Sequence, residues 1–312
     1  MNYKPHPGYE SLWKVKMDFE PVDQDKPVEN APIIRELMMN FKAPEGIEIL
    51  DFKVPGKNGA PEVPVRVYRN KDEKKVPMVL NIHGGGFVSG DLDNDNIRAS
   101  KIAKHVGCTV VSVGYRLAPQ AVFPAQLEDA LAALEYAITH ADSLGINPEK
   151  IGVFGTSAGG CISAGLCLYL RDHGGPKISA QVLNFPALDY LATSTSALQF
   201  YDDAPLVQGD GLSNVWKLYL GGFKGEIPSY YAVPALARDL SELPPTCMIV
   251  NEYDPLRDEG IDYARRLMSF AVPTELYSLP RVPHGFDLIS APLTDWIREA
   301  IYRTFKREFG ML

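Results

Sequence analysis

Gly155-Thr156-Ser157-Ala158-Gly159 sets a serine among small residues in a G-x-S-x-G pattern. Residues 150–154 before it, Lys-Ile-Gly-Val-Phe, predict a short buried strand, and residues 161–170 after it predict an apolar helix. A serine on a strand-to-helix turn is pushed out beyond the end of the sheet, where its hydroxyl can reach a carbonyl. The flanking glycines permit backbone geometry that a Cβ would obstruct. Such a pattern also occurs in ordinary flexible turns, so it is the strand and the helix around it that make Ser157 a candidate nucleophile.

Acyl transfer by a serine needs a base, a group that orients the base, and N–H donors for the developing oxyanion. His83-Gly84-Gly85-Gly86-Phe87 follows a predicted strand, and its three successive glycines expose backbone N–H groups with no side chain in the way. Gly85, Gly86 and Ala158 are the expected oxyanion donors, with His83 orienting the loop by hydrogen bonding. Of the six histidines, His284 is the candidate base, because Val282-Pro283-His284-Gly285-Phe286 forms a loop after the last predicted strand. Four acids compete to orient it: Glu252, Asp254, Asp258 and Asp287. Asp254 follows a strand and precedes Pro255, which puts it at the same sheet edge as Ser157 and His284; Glu252 is its rival. Asp258 is expected to cap the next helix, and Asp287 lies close to His284 in sequence. The order Ser…Asp…His suits a nucleophile on a strand-turn-helix element.

These groups need a scaffold, and the chain of 312 residues is long enough for one large α/β core. Two early runs, Ile47–Val54 and residues 63–69, flank Pro-Gly-Lys-Asn-Gly and predict a hairpin. Residues 76–83 and 108–115 are short apolar runs of the kind buried on both faces, with a helix predicted over 97–105 between them. Pro124 opens a helix with Leu127, Leu131, Leu134 and Ile138 on one face, ended by Gly145 and Pro148. Residues 150–154, 178–184, 246–251 and 274–278 supply further strands, and 259–270 and 294–309 further helices. This alternation predicts a mostly parallel central sheet flanked by helices on both faces.

Two stretches break the rhythm. Residues 1–45 are rich in proline, with a helical piece around 33–41, and residues 187–230 are long for a connection between strands. Together they are expected to form a mainly helical cap over the C-terminal sheet edge of a single domain, where open α/β sheets bind ligands. Phe200, Tyr201, Trp216, Tyr219, Phe223, Tyr230 and Tyr231 fall in the second stretch. Phe87, Trp216, Tyr219 and Phe286 are the candidates to line a substrate pocket, against the simpler reading that the rings are the cap's own core.

A hydrophobic fraction of 46%, a charged fraction of 22% and a net charge of −8 describe an ordinary globular protein, and the charge argues against nucleic acid or an anionic membrane as partner. No apolar run approaches the 18 or so residues of a membrane span, and the polar, proline-broken start does not resemble a signal peptide. Cys108, Cys161, Cys167 and Cys247 lack paired spacing and read as free buried thiols, which makes the cytoplasm the expected location. Asp91, Asp93 and Asp95 begin like a calcium loop, but Asn96 and Ile102 occupy the places of its glycine and glutamate. No nucleotide or zinc motif is present. No metal or other cofactor is implied.

From about residue 60 to the end the chain resembles the hormone-sensitive-lipase-like, or bacterial family IV, esterases of the α/β-hydrolase superfamily. The resemblance rests on His83-Gly-Gly-Gly-Phe87, Tyr115-Arg-Leu-Ala-Pro119, Phe123-Pro-Ala125 with Glu128-Asp129, and Gly155-Thr-Ser-Ala-Gly-Gly160. It continues through Leu243-Pro-Pro245, Asp254-Pro-Leu-Arg-Asp-Glu-Gly260 and His284-Gly-Phe286. It implies a serine carboxylesterase for short acyl esters with Ser157, Asp254 and His284 as the triad, which favours Asp254 over Glu252. It also implies no cofactor, a helical cap and frequent pairing as dimers, for which the edge of the last strand is the candidate surface. An amidase or lactonase could use the same triad. A non-catalytic small-molecule receptor on this fold is disfavoured because His284 is retained. The chain departs from the family pattern at Gly114 and Gln120, where acidic residues are usual, and at Thr156, where aspartate is common. Asp95 stands where histidine is frequent.

Overall fold

The computed structural model describes residues 3–19, 23, 25–26, 28–29, 35–36, 39–222 and 226–312. Strands β1 (Ile47–Val54) and β2 (Val63–Asn70) form the predicted antiparallel hairpin, Ile47 opposite Asn70 and Val54 opposite Val63. Along the chain follow β3 (Val76–Ile82), helix α1 (Asn96–Ile102), β4 (Thr109–Val113), helices α2 (Ala125–Thr139) and α3 (Ala141–Leu144), β5 (Ile146–Thr156) and helix α4 (Ala158–Asp172). Then come β6 (Ala180–Asn184), helices α5 (Thr195–Gln199) and α6 (Gly209–Tyr219), β7 (Thr246–Tyr253), α7 (Arg257–Ser269), β8 (Thr274–Pro283) and α8 (Pro292–Glu308). The eight strands make one sheet in the order β1-β2-β4-β3-β5-β6-β7-β8, antiparallel from β1 to β4 and parallel from β4 to β8.

Parallel strands need covered faces, and glycines on β5 show how both are covered. Gly152 and Gly155 are three residues apart, so a Cβ on each would point to opposite faces. A Cβ on Gly152 would lie 2.6 Å from the Phe305 ring of α8, and one on Gly155 would lie 2.2 Å from the Gly159 carbonyl oxygen of α4. Helix α4 therefore rests on one face of β5 through its backbone, and α8 rests on the other through the Phe305 ring. The strands β4 and β6 are wholly buried, and β3 is buried beyond its first residue, as the apolar, β-branched runs of β3 and β4 predict.

Several boundaries differ from the sequence reading. The helix opened at Pro124 stops at Thr139, and the separate turn α3 runs up to Gly145, which takes a φ of 72°. Pro148 does not end a helix, because β5 already begins at Ile146, paired with Val76 of β3. The predicted last strand, 274–278, extends to Pro283 by following β7 as far as Tyr253. Residues 33, 34, 37 and 38 of the helical piece expected around 33–41, and Phe223, lie outside the described residues. The long connection after β6 carries α5 and α6, and near Leu206 it meets the N-terminal segment. There Met17 N–H donates to the Leu206 carbonyl at 2.8 Å, and Leu206 N–H donates to that of Val15 at 2.8 Å.

Candidate active site

Because β3 and β5 to β8 run parallel, their C-terminal ends share one sheet edge, and the loops leaving it carry the candidate residues. Ser157 occupies the single position between β5 and α4, with φ 55° and ψ −119°. A non-glycine residue holds such a conformation only where its surroundings enforce it. Here Ser157 N–H donates to Asn184 O at 3.0 Å, and Ser157 O accepts from Ala187 N–H at 3.1 Å and Cys161 N–H at 3.2 Å. The flanking glycines have a steric reason: a Cβ on Gly159 would fall 2.0 Å from Ile82 O and 2.4 Å from His83 O.

His284 leaves the end of β8 and brings Nε2 within 2.9 Å of Ser157 Oγ, while Nδ1 lies 2.8 Å from Asp254 Oδ2. A carboxylate only accepts, so Nδ1 carries the proton and Nε2 presents its lone pair to the serine hydroxyl. Asp254 is fully buried at the end of β7, and its carboxylate also accepts from Leu256 N–H at 2.9 Å and from Asn251 Nδ2 at 3.2 Å. Its rivals are engaged elsewhere. Glu252 accepts from Arg281 N–H at 2.7 Å. Asp258 does not cap its own helix; it accepts from Ser196 N–H at the start of α5, and it pairs with Arg257. Asp287 points away from the imidazole and grips Arg98 through both oxygens, at 2.5 and 2.7 Å.

The glycine loop turns sharply between β3 and the cleft. Gly85 O accepts from Val88 N–H at 3.2 Å and from Ser89 N–H at 2.9 Å, with φ of 120° at Gly85 and 61° at Gly86. Among the described residues no acceptor takes the N–H of Gly85 or Gly86, and Ala158 N–H opens α4, where no intrahelical partner exists. His83 is buried, stacks on Tyr115 with ring centroids 4.2 Å apart, and donates from Nδ1 to Gly84 O at 2.7 Å. Burial pushes its pKa down, so the ring stays neutral. Tyr115 in turn donates its hydroxyl to His83 O at 2.9 Å.

The cleft above Ser157 and His284 has an apolar wall of Met17, Phe19, Phe185, Val207 and Leu288 and a polar wall of Ser89, Asn94, Asp95 and Arg98. None of Phe87, Trp216, Tyr219 and Phe286 is among the residues lining it, contrary to expectation. All four are fully buried. Phe87 stacks flat on Tyr219 with centroids 3.9 Å apart and packs against Trp216 at 5.2 Å, so α6 is pinned to the back of the glycine loop. Phe286 packs against Phe185 at 5.8 Å. The rings are core because only a contiguous apolar cluster can seat α6 on the sheet.

Met17 and Phe19 lie in an aperiodic segment and give no sequence signal. Arg98 is three residues after Asp95, a spacing that predicts contact on a helix but not a place in the cleft. The calcium-like acids are all used: Asp91 caps the turn Leu92–Asp95, Asp93 pairs with Arg66, and Asp95 pairs with Arg98. Among the described residues no group of His, Cys, Asp or Glu is placed to hold a metal ion, and no helix is long and apolar enough to cross a membrane. The four cysteines are free and buried.

The family Abhydrolase_3, described as alpha/beta hydrolase fold, matches residues 79–288. Esterase LipI of Mycobacterium tuberculosis is 35% identical over 256 residues, 81% of this chain and 79% of that protein. Carboxylesterase NlhH from the same species is 33% identical over 288 residues, 90% of this chain and 89% of its own. Among solved structures, a bacterial heroin esterase superposes with a TM-score of 0.88 at 34% identity, covering 97% of this chain and 98% of that one.

Proposed function

We propose, for a chain that belongs to the Abhydrolase_3 family of α/β-hydrolases, the hormone-sensitive-lipase-like or bacterial family IV branch, that Ser157, His284 and Asp254 hydrolyse short-chain acyl esters through an acyl-enzyme. The chain is a carboxylic ester hydrolase, like its esterase relatives. The observation that carries the finer reading is the continuous line Ser157 Oγ–His284 Nε2 at 2.9 Å and His284 Nδ1–Asp254 Oδ2 at 2.8 Å.

In this reading Ser157 Oγ attacks the ester carbonyl carbon as its proton passes to His284 Nε2, and Asp254 stabilises the imidazolium that forms. The carbonyl oxygen becomes an oxyanion received by the N–H groups of Gly85, Gly86 and Ala158. Collapse breaks the carbon–oxygen bond to the alcohol, which leaves with the proton from Nε2, and the acyl group stays on Oγ. Water then gives a proton to Nε2, its oxygen attacks the acyl carbon, and Ser157 recovers its proton as the acid departs. Residues 1–45 and 187–230 act as the cap: Met17 and Phe19 from the first and Val207 from the second bound the cleft. The apolar wall suits an acyl chain, and the resemblance to the family implies chains shorter than about eight carbons.

Steady-state hydrolysis of p-nitrophenyl butyrate tests the assignment. Ser157→Ala is expected to lower kcat about 10⁶-fold and Asp254→Asn about 10⁴-fold, the latter by losing the imidazole tautomer. A Ser157→Ala enzyme turning over at the parent rate overturns it.

A further inference from the structure

His284 stands on a loop that the sheet holds from one side, because β8 is the last strand and, among the described residues, pairs with the single strand β7. Gly285, next in sequence, takes the left-handed conformation with φ 67°, so the loop turns sharply just where the imidazole must be held still. What holds it from the other side is a buried polar chain. Asp287, three residues beyond His284, receives Arg98 Nε at 2.5 Å and Nη2 at 2.7 Å, and it receives Asn184 Nδ2 at 3.0 Å. The same Asn184 accepts the Ser157 N–H through its backbone oxygen at 3.0 Å. Arg98 is held in its turn by Asp95, whose other oxygen accepts from Asn81 Nδ2 at 3.1 Å, two residues before His83 and the glycine loop. Arg298 Nη2 closes the set by donating to Asp287 O at 2.9 Å.

One line of side chains therefore joins the base loop, the backbone of the nucleophile and the strand that carries the oxyanion loop. We propose that Arg98, acting through Asp287, is a positioning residue that sets the separation of His284 Nε2 from Ser157 Oγ. The inference rests on the reading of Ser157 and His284 as nucleophile and base. A bidentate guanidinium–carboxylate pair fixes orientation as well as distance, which a lysine cannot do. Burying such charges is a poor route to stability, since apolar side chains of similar volume serve as well, so the gain lies in geometry. Against the upward push of burial, Arg98 together with Arg298 and the Asn184 side chain keeps the Asp287 carboxyl below its usual range. The charged pair thus persists at the pH of any ordinary assay. Arg98 and Asp95 also line the cleft, so the brace is built into the wall beside the substrate.

The full chain with Arg98→Ala, Arg98→Lys or Asp287→Asn is assayed on p-nitrophenyl butyrate, and rates are expressed per site titrated by a fluorophosphonate. Arg98→Ala is expected to lower kcat about 100-fold with KM changed less than about 3-fold, as a displaced base should. Millimolar guanidinium chloride should restore part of that loss in Arg98→Ala and nothing in the parent. Arg98→Lys keeps a counterion for the buried carboxylates and carries the test if the alanine variant does not fold; its kcat should fall between the two. Turnover per titrated site equal to the parent in Arg98→Lys and Asp287→Asn overturns the proposal. If Ser157→Ala is dead in that case, the loss is confined to the positioning role; an active Ser157→Ala enzyme would remove the catalytic reading beneath it.

Discussion

Two carboxylates of similar sequence position meet opposite surroundings, and the contrast explains how side chains here acquire their tasks. Asp254 is buried but has three hydrogen bonds to its two oxygens, so its negative charge is compensated. Glu259, on α7, is buried with Oε1 accepting from Leu188 N–H at 2.6 Å, while Oε2 has no partner among the described residues. Burial raises its pKa well above the ordinary 4.5, and the Leu188 N–H offsets only part of that. In the unfolded chain Glu259 loses its proton near pH 4.5, whereas the folded protein still holds it at higher pH. Its contribution to stability is therefore whole below that point and is lost as pH rises towards the folded-state value. A glutamine side chain there would not ionise, so the melting temperature of Glu259→Gln minus that of the parent should grow from about pH 5 to about pH 8. A difference that is flat across that range would sink the assignment.

At the scale of elements, the aromatic residues divide into those that hold an element in place and those that face the cleft. Phe87, Trp216 and Tyr219 form one packed group that seats α6 behind the glycine loop, whereas Phe19 comes from an aperiodic segment and lines the cleft itself. Trp216→Ala should cost about 3–5 kcal/mol of stability while leaving the ratio of kcat/KM for butyrate and hexanoate esters unchanged. Phe19→Ala should do the reverse, moving the ratio towards the longer acyl chain at little cost in melting temperature. A Trp216 variant that changed chain-length preference more than the Phe19 variant would show that the division is wrong. The sequence could not make this distinction, because aromatic content marks burial without saying which cavity a ring faces.

For the whole molecule, β8 is the last strand of the sheet among the described residues, with its Arg281 carbonyl taken by His6 N–H at 2.8 Å, and it is flanked by α8, whose Trp296 is half exposed and meets Tyr277 of that strand edge-on at 5.8 Å. The stretch of this edge beside the exposed tryptophan is the candidate surface for a second copy. Light scattering at micromolar concentration should give twice the 34.4 kDa chain mass, and Trp296→Glu should halve it. A chain mass of 34.4 kDa at every concentration would refute pairing through this edge.

Much of this protein was legible in its residues. Local signals determined the hairpin, the alternation of strands and helices, the strand-turn-helix at Ser157 and the glycine loop after β3, because each depends on neighbours within a few positions. Position just after a predicted strand narrowed the acid to Asp254 or Glu252. The tertiary structure alone decided that Arg98, Asp287 and Asn184 form one chain with the Ser157 backbone, since those contacts join residues up to 189 positions apart. It also decided that the predicted pocket rings are core and that the cleft is bounded by Met17, Phe19 and Val207. The G-x-S-x-G turn needs only local backbone geometry, whereas the walls around it are set by packing between distant segments, which no local pattern encodes.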